Sequence, residues 1–142
     1  MIHNLTKNNV IAHKIVIAEN FAQRAIGMIG KDFETFDAMG LYRCNSIHTF
    51  FMNMKIDVLF VDFENRICEI RERLLPWRPL VRCPKATIVI ELPAGRLAEI
   101  GVEVGDVIDL NAELTKETEN ESRSNLIQAP EAAIPMKQQV DG

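Results

Sequence analysis

This 142-residue chain has only three cysteines, Cys44, Cys68 and Cys83, and no Cys-x-x-Cys pair. They are too few and too irregularly spaced for a disulfide framework, and a reducing compartment would keep them as thiols. A lone disulfide becomes possible only in an exported form. No apolar run approaches the roughly 20 residues that carry a helix across a bilayer, so no transmembrane segment is expected. The start, Met1-Ile-His-Asn-Leu-Thr-Lys-Asn-Asn-Val, lacks the charged region, apolar stretch and cleavage site of a secretory signal. The expected location is cytoplasmic. Excess positive charge is missing as well: the formal net charge is -4 and the pI is near 5.4. That balance gives no broad attraction to nucleic acid or anionic lipid, although it is compatible with a local basic patch.

What is present points to one domain and an appendage. Hydrophobic residues make up 47% and charged residues 25%, a balance that supports a real core. The length falls within the roughly 100 to 200 residues of a single domain. The composition shifts after Leu110. From Asn111 onward six carboxylates (Glu113, Glu117, Glu119, Glu121, Glu131, Asp141) face three cations (Lys116, Arg123, Lys137), and there is no aromatic residue. With Pro130 and Pro135 as well, residues 111–142 are expected to form a disordered acidic tail, because little apolar surface is available to offset the entropy of ordering. A solubilising role is favoured over partner docking through Leu126-Ile127.

The periodicity of residues 1–110 is mostly that of strands. Residues 10–18 fit a first strand interrupted by His13-Lys14. Asn20 with Gln23 offers a helix N-cap and capping-box partner, followed by Phe21, Ala25 and Met28 on one face. Residues 31–40 look like a loop anchored by Phe33, Phe36 and Met39. Strands are expected at 41–43, 46–52 and 57–63, where the unalternating Val58-Leu-Phe-Val61 predicts a central strand buried on both faces. A Glu64-Asn65 turn leads into a strand over 66–74, and another runs over 86–92 with Ile88, Ile90 and Leu92 on one side. A short helix ending at Gly101 and a Gly105-Asp106 turn precede a closing strand over 107–110. The pattern predicts a mainly β (α+β) fold, a compact β-sandwich, jelly-roll-like or partly open barrel, with one or two short helices.

The chemistry-bearing residues concentrate in Cys44-Asn-Ser-Ile-His48-Thr-Phe-Phe-Met52 and Leu75-Pro-Trp77-Arg78. Cys44, His48 and Cys83 offer sulfur and nitrogen to zinc. Positions 44 and 48 on a straight strand, however, lie about 13 Å apart at about 3.3 Å per residue, so a shared metal requires a bend. No cofactor is expected. His48 with Asp57 fixing its tautomer, beside Arg78 for an anion, is a credible acid–base arrangement, but no nucleophile motif accompanies it. The alternative places His48 against backbone and Asp57 at a turn, since buried polar groups are usually satisfied structurally. Trp77 and Arg78, bracketed by Pro76 and Pro79, read equally as a ligand-facing loop or as an aromatic plug with Arg78 paired to Asp57, Asp62 or a carbonyl. Asp62, Glu91 and Asp106 lie beside turns and read as backbone caps rather than paired catalytic acids.

The motifs Cys44 to Met52, Ile56-Asp-Val-Leu-Phe-Val-Asp62, Leu75-Pro-Trp-Arg78, Val89-Ile-Glu-Leu-Pro-Ala-Gly95 and Gly101-Val-Glu-Val-Gly-Asp106, in this order, resemble the domain of unknown function 192 family. The likeness covers roughly residues 15–110. It implies a small β-rich sandwich found in bacteria and archaea, without an established enzyme activity and in some relatives linked to envelope, pilus or secretion systems. Lys55 stands where many relatives have proline, and the tail is not part of the domain. Three functions follow as expectations. The first is a non-enzymatic binding module for a small anionic ligand or protein partner, with a cleft near His48, Trp77 and Arg78. The second is a small hydrolase or isomerase using His48 with Asp57. The third is a structural subunit interacting through a sheet edge or the tail.

Overall fold

The computed structural model describes residues 1–18 and 32–110, so the helix expected after Asn20 and the acidic segment from Asn111 lie outside the described residues. The described strands are β1 (Ile2–Asn4), β2 (Asn9–Ala12), β3 (Ile15–Ala18), β4 (Ala38–Tyr42), β5 (Ser46–Ile47), β6 (Ile56–Val61), β7 (Ile67–Leu74), β8 (Val81–Arg82), β9 (Ile88–Pro93) and β10 (Ile108–Asp109), with one short helix, α1 (Arg96–Ile100). They assemble as a five-stranded sheet β3-β4-β9-β6-β7, a three-stranded sheet β10-β1-β2 and a ribbon β5-β8. None of these sheets closes into a barrel, so the fold is a mainly β sandwich.

The inner strands of the five-stranded sheet, β4, β9 and β6, are buried on both faces because they are mostly apolar at consecutive positions. All six residues of β6 are buried. On one face Leu59, Val61, Ile90 and Leu92 pack against Ile2, Ile11 and Ile108 of the small sheet and Leu97 of α1. On the other face Met39, Leu41, Val58, Phe60 and Val89 pack against Ile47, Met52 and Cys83, which belong to the ribbon and its flanking loops. The ribbon therefore forms a lid whose outer turns become the site described below.

Several elements differ from the sequence expectation. Residues 10–18 are two strands in two sheets, with the corner at His13-Lys14. The Asp37 carboxylate accepts both corner N–H groups, at 2.7 and 2.6 Å, and so replaces the ladder bonds that a continuous strand would have made. The β3–β4 pair is parallel, a pairing that no tight hairpin turn can connect. β9 holds the middle of the sheet, with β6 beside it, and Val89 and Glu91 are buried together with Ile88, Ile90 and Leu92. The strand expected over 46–52 ends at Ile47. The hairpin turn spans Asp62 to Arg66, with Asn65 left-handed at φ 60. There Asp62 Oδ1 accepts from the Glu64 and Arg66 N–H groups, the capping role expected of it. Asp106 also caps: its Oδ2 accepts from Asn4 Nδ2 at 2.7 Å and from the Glu103 N–H at 3.0 Å.

Asp57 joins three elements. A register shift between β6 and β7 beside it coincides with a left-handed Arg73. Asp57 Oδ1 accepts the Arg73 N–H at 2.8 Å, while Oδ2 accepts the Gly95 and Leu97 N–H groups at 2.9 Å each. The carboxylate is fully buried and supplies the start of α1 with the acceptors that its first N–H groups lack. Asp57→Ala is expected to lower stability by about 3 kcal/mol or more, since each buried group left unsatisfied costs about 1–3 kcal/mol. Urea denaturation measures this, and a loss below about 1 kcal/mol would contradict the clamp.

Candidate functional site

The segment after β5 and the segment between β7 and β8 have little secondary structure of their own. They are held to each other by one residue. Thr49 is fully buried and directs every polar group it has at its neighbours. Its N–H donates to the Arg78 carbonyl at 2.9 Å, and its carbonyl accepts the Trp77 N–H at 2.8 Å and the Met52 N–H at 3.4 Å. Its hydroxyl donates to the Leu75 carbonyl at 2.8 Å and accepts the Arg78 N–H at 2.9 Å. The prolines at 76 and 79 remove two donors from the opposing loop and restrict its shape, which leaves the donors and acceptors that Thr49 meets.

The staple brings His48, Trp77 and Arg78 into one loop cluster. The ring of His48 lies 5.6 Å from that of Phe50, Phe50 lies 6.3 Å from Trp77, and Phe51 meets Trp77 edge-on at 5.2 Å between centroids. These spacings fall in the range of favourable aromatic contact. Phe51 and Trp77 are nevertheless 67% and 59% exposed, so Trp77 does not plug the end of the sandwich. Both also have left-handed backbones, at φ 62 and 65. For bulky side chains that conformation costs roughly 1–2 kcal/mol per residue and persists only where surrounding bonds over-determine it. The Thr49 bonds to Met52, Trp77 and Arg78 do so here.

The cleft expected between His48 and the Trp77-Arg78 loop is, at backbone level, filled by these hydrogen bonds. What the cluster presents is an outward surface. Exposed Leu75 and Leu80 flank the ring pair. No carboxylate occurs over residues 43–55 or 75–87, whereas Lys55, Arg78 and Arg82 do occur there and are exposed. Ile56 pairs with Leu74 and Ser46 with Arg82, which places Lys55 beside Leu75 and Arg82 behind the His48 segment. Among the described residues, these three cations make no ion pair.

The acid–base pairing of His48 with Asp57 does not form. Asp57 is committed to three backbone N–H groups, and His48 Nδ1 accepts the Phe50 N–H at 3.3 Å. That bond puts the proton of the neutral ring on Nε2. Arg78 is likewise not paired with Asp57 or Asp62. The zinc candidates are also engaged separately: Cys44 Sγ donates to the Ser46 carbonyl at 3.0 Å, and Cys83 Sγ lies 3.3 Å from Cys68 Sγ. Among the described residues, no group of three His, Cys, Asp or Glu side chains is placed to hold a metal ion.

Sequence reasoning missed Thr49, Phe51 and the partnership of Cys68 with Cys83. A clue to Phe51 was present, since adjacent aromatics cannot both face inward from one strand. Thr49→Val, which keeps the shape and removes the hydroxyl, is expected to cost about 1–3 kcal/mol in urea denaturation by leaving the Leu75 carbonyl and Arg78 N–H unsatisfied. Phe51→Asn relieves the left-handed strain and removes an exposed ring, so stability is expected to hold or to rise by up to about 1 kcal/mol. A loss above about 1 kcal/mol would show Phe51 to be a packing residue.

Comparison with known proteins places this architecture. The family model described as DUF192, Uncharacterized ACR, matches residues 2–110. A UPF0127 protein of Thermococcus sibiricus is 33% identical over 118 residues, covering 80% of this chain and 76% of the relative. A UPF0127 protein of Pyrococcus abyssi is 37% identical over 107 residues, covering 68% and 85%. These relatives are archaeal, so of the bacterial and archaeal range that the resemblance implied, the bacterial part is not borne out by them. Two solved structures share the fold at 20% identity. One is a protein of unknown function from Novosphingobium aromaticivorans, with a TM-score of 0.59 over 67% of this chain and 73% of its own. The other is a putative transcription regulator from Sinorhizobium meliloti, with a TM-score of 0.61 over 67% and 79%.

Proposed function

We propose, for a chain that belongs to the DUF192 family of uncharacterised proteins, that it is a non-enzymatic binding module which engages an anionic partner through the loop pair stapled by Thr49. Trp77 and Phe51 supply apolar contact, and Arg78 supplies a guanidinium for carboxylate or phosphate oxygens. The half-buried His48 adds an Nε2–H donor at the edge of the cluster. The observation that carries this reading is the pair of bulky aromatic residues held exposed in left-handed backbone, since a fold has no packing reason to hold them there. Residues 1–110 are the working domain in this reading, with 111–142 a solubilising tail. Its thiols suit the reducing cytoplasm, and no helix of the described residues is long and apolar enough to cross a membrane.

Trp77 is the single tryptophan of the chain, so intrinsic fluorescence reports from the proposed surface directly. Titration with inorganic phosphate, a short acidic peptide and anionic lipid vesicles is expected to shift its emission for at least one of them. Arg78→Gln should then weaken that response, about tenfold or more for phosphate or the peptide, the loss that accompanies a charge-assisted hydrogen bond, and about fivefold for vesicles. His48→Ala should weaken it less and produce no pH-dependent turnover. Silence toward all three partners would remove the reading.

A further inference from the structure

We infer that the partner of this surface is an anionic phospholipid bilayer, which the loop pair enters at headgroup depth. The inference rests on the binding reading above and adds the identity of what is bound. A small anion or a peptide needs a concavity, whereas here the space between the loops is occupied by the Thr49 hydrogen bonds. The apolar side chains instead point outward. Among the described residues, four of the eight exposed large apolar side chains, Phe51, Leu75, Trp77 and Leu80, lie on these two loops. Trp and Phe with Leu at the tip, backed by cations, is the composition that settles at a membrane interface.

Charge complementarity fixes the sign of the surface. Lys55, Arg78 and Arg82 flank the tip, and the nearest carboxylates in sequence are Asp57, buried in backbone bonds, and Glu72 on β7. Because the whole chain carries a formal charge of -4, attraction comes from this local patch and requires anionic lipid. The full chain is mixed with vesicles of phosphatidylglycerol and phosphatidylcholine, and separately with phosphatidylcholine alone. The expected result is co-flotation with the anionic vesicles only, a blue shift of Trp77 emission and loss of quenching by aqueous acrylamide. Arg78→Gln and Lys55→Gln should each weaken binding roughly fivefold, the contribution of one cation near such a surface. Phe51→Asn should weaken it as well without unfolding the domain. Flotation unaffected by these substitutions would overturn the proposal, as would silence toward anionic vesicles. If phosphate or the acidic peptide shifts Trp77 while vesicles do not, the bilayer falls and the binding module stands. If nothing shifts it, both fall.

A second observation, independent of the first, points to Cys68 and Cys83 as a modification site. Their sulfurs lie 3.3 Å apart, with Cys83 buried and Cys68 half-buried. We propose that the pair takes an oxidising peroxide and closes to a disulfide. The Cys68 thiolate attacks one peroxide oxygen, giving a sulfenic acid and one hydroxide, which takes up a proton to become water. The Cys83 sulfur then attacks the Cys68 sulfur, expelling a second water. The two thiols lose two hydrogens in all as the peroxide is reduced. The ring so closed, residues 68–83, contains the whole Trp77-Arg78 loop. Burial, with the neighbouring Cys83 thiol and Asp62 adding to it, pushes the Cys68 thiol up to about 12. Thiolate is therefore scarce at neutral pH, and the reaction should quicken as pH rises above neutrality. Hydrogen peroxide treatment of the full chain should lower the intact mass by two hydrogens, leave Cys44 as the one titratable thiol and raise the Tm by roughly 5–15 °C. Three remaining thiols, a bridge to Cys44, or a rate that does not rise with pH above neutrality would overturn the assignment.

Discussion

The arrangement of the site depends on a buried threonine whose amide, carbonyl and hydroxyl are all spent on the opposite loop and its own turn. Thr49 sits where the β5–β8 ribbon leaves the sheet, and its bonds to Leu75, Trp77 and Arg78 turn two irregular segments into one body. Without it, the Leu75 carbonyl and the Arg78 amide would each lose a partner beside the buried Thr49. With it, the left-handed conformations of Phe51 and Trp77 are tolerated. The strain is local and the restraint comes from hydrogen bonds, so the exposed rings keep their place with only each other and Phe50 to pack against.

The same economy appears at Asp57. A carboxylate buried in the sheet repairs the register shift between β6 and β7 and terminates α1 at its start. This fixes the end of the sheet from which the 75–80 loop departs, because Ile56 pairs with Leu74 there. Asp57 thus supports the site from beneath without touching its chemistry. The apolar packing on both faces of the five-stranded sheet does the rest. One face carries the small sheet and α1, and the other carries the ribbon whose outer end is the loop pair.

Parts of this were legible in the sequence and parts were not, for reasons that can be named. The unbroken Val58-Leu-Phe-Val61 run predicted a strand buried on both faces because no polar side chain interrupts it, and β6 is such a strand. The proline-bracketed Trp77-Arg78 loop was legible from its rigid composition. β1 and β8 were missed because three-residue and two-residue strands leave no period to read. The His48 segment was read as strand to residue 52, whereas the Thr49 bonds that end it reach 26 and 29 residues ahead. The Asp57 acceptors serve donors 38 and 40 residues away, and the Cys68–Cys83 approach spans 15. Local patterning does not encode such partnerships; they appear only when the sheet order is known.

Through Thr49 the two loops form one rigid body. Amide hydrogen exchange resolved at Thr49, Trp77 and Arg78 tests it most directly. These three amides should exchange as slowly as neighbouring sheet amides such as Leu74, although they lie in loops and two of their side chains are exposed. Exchange at the rate of an open loop would contradict it, since the surface on which the function is placed would then have no fixed form.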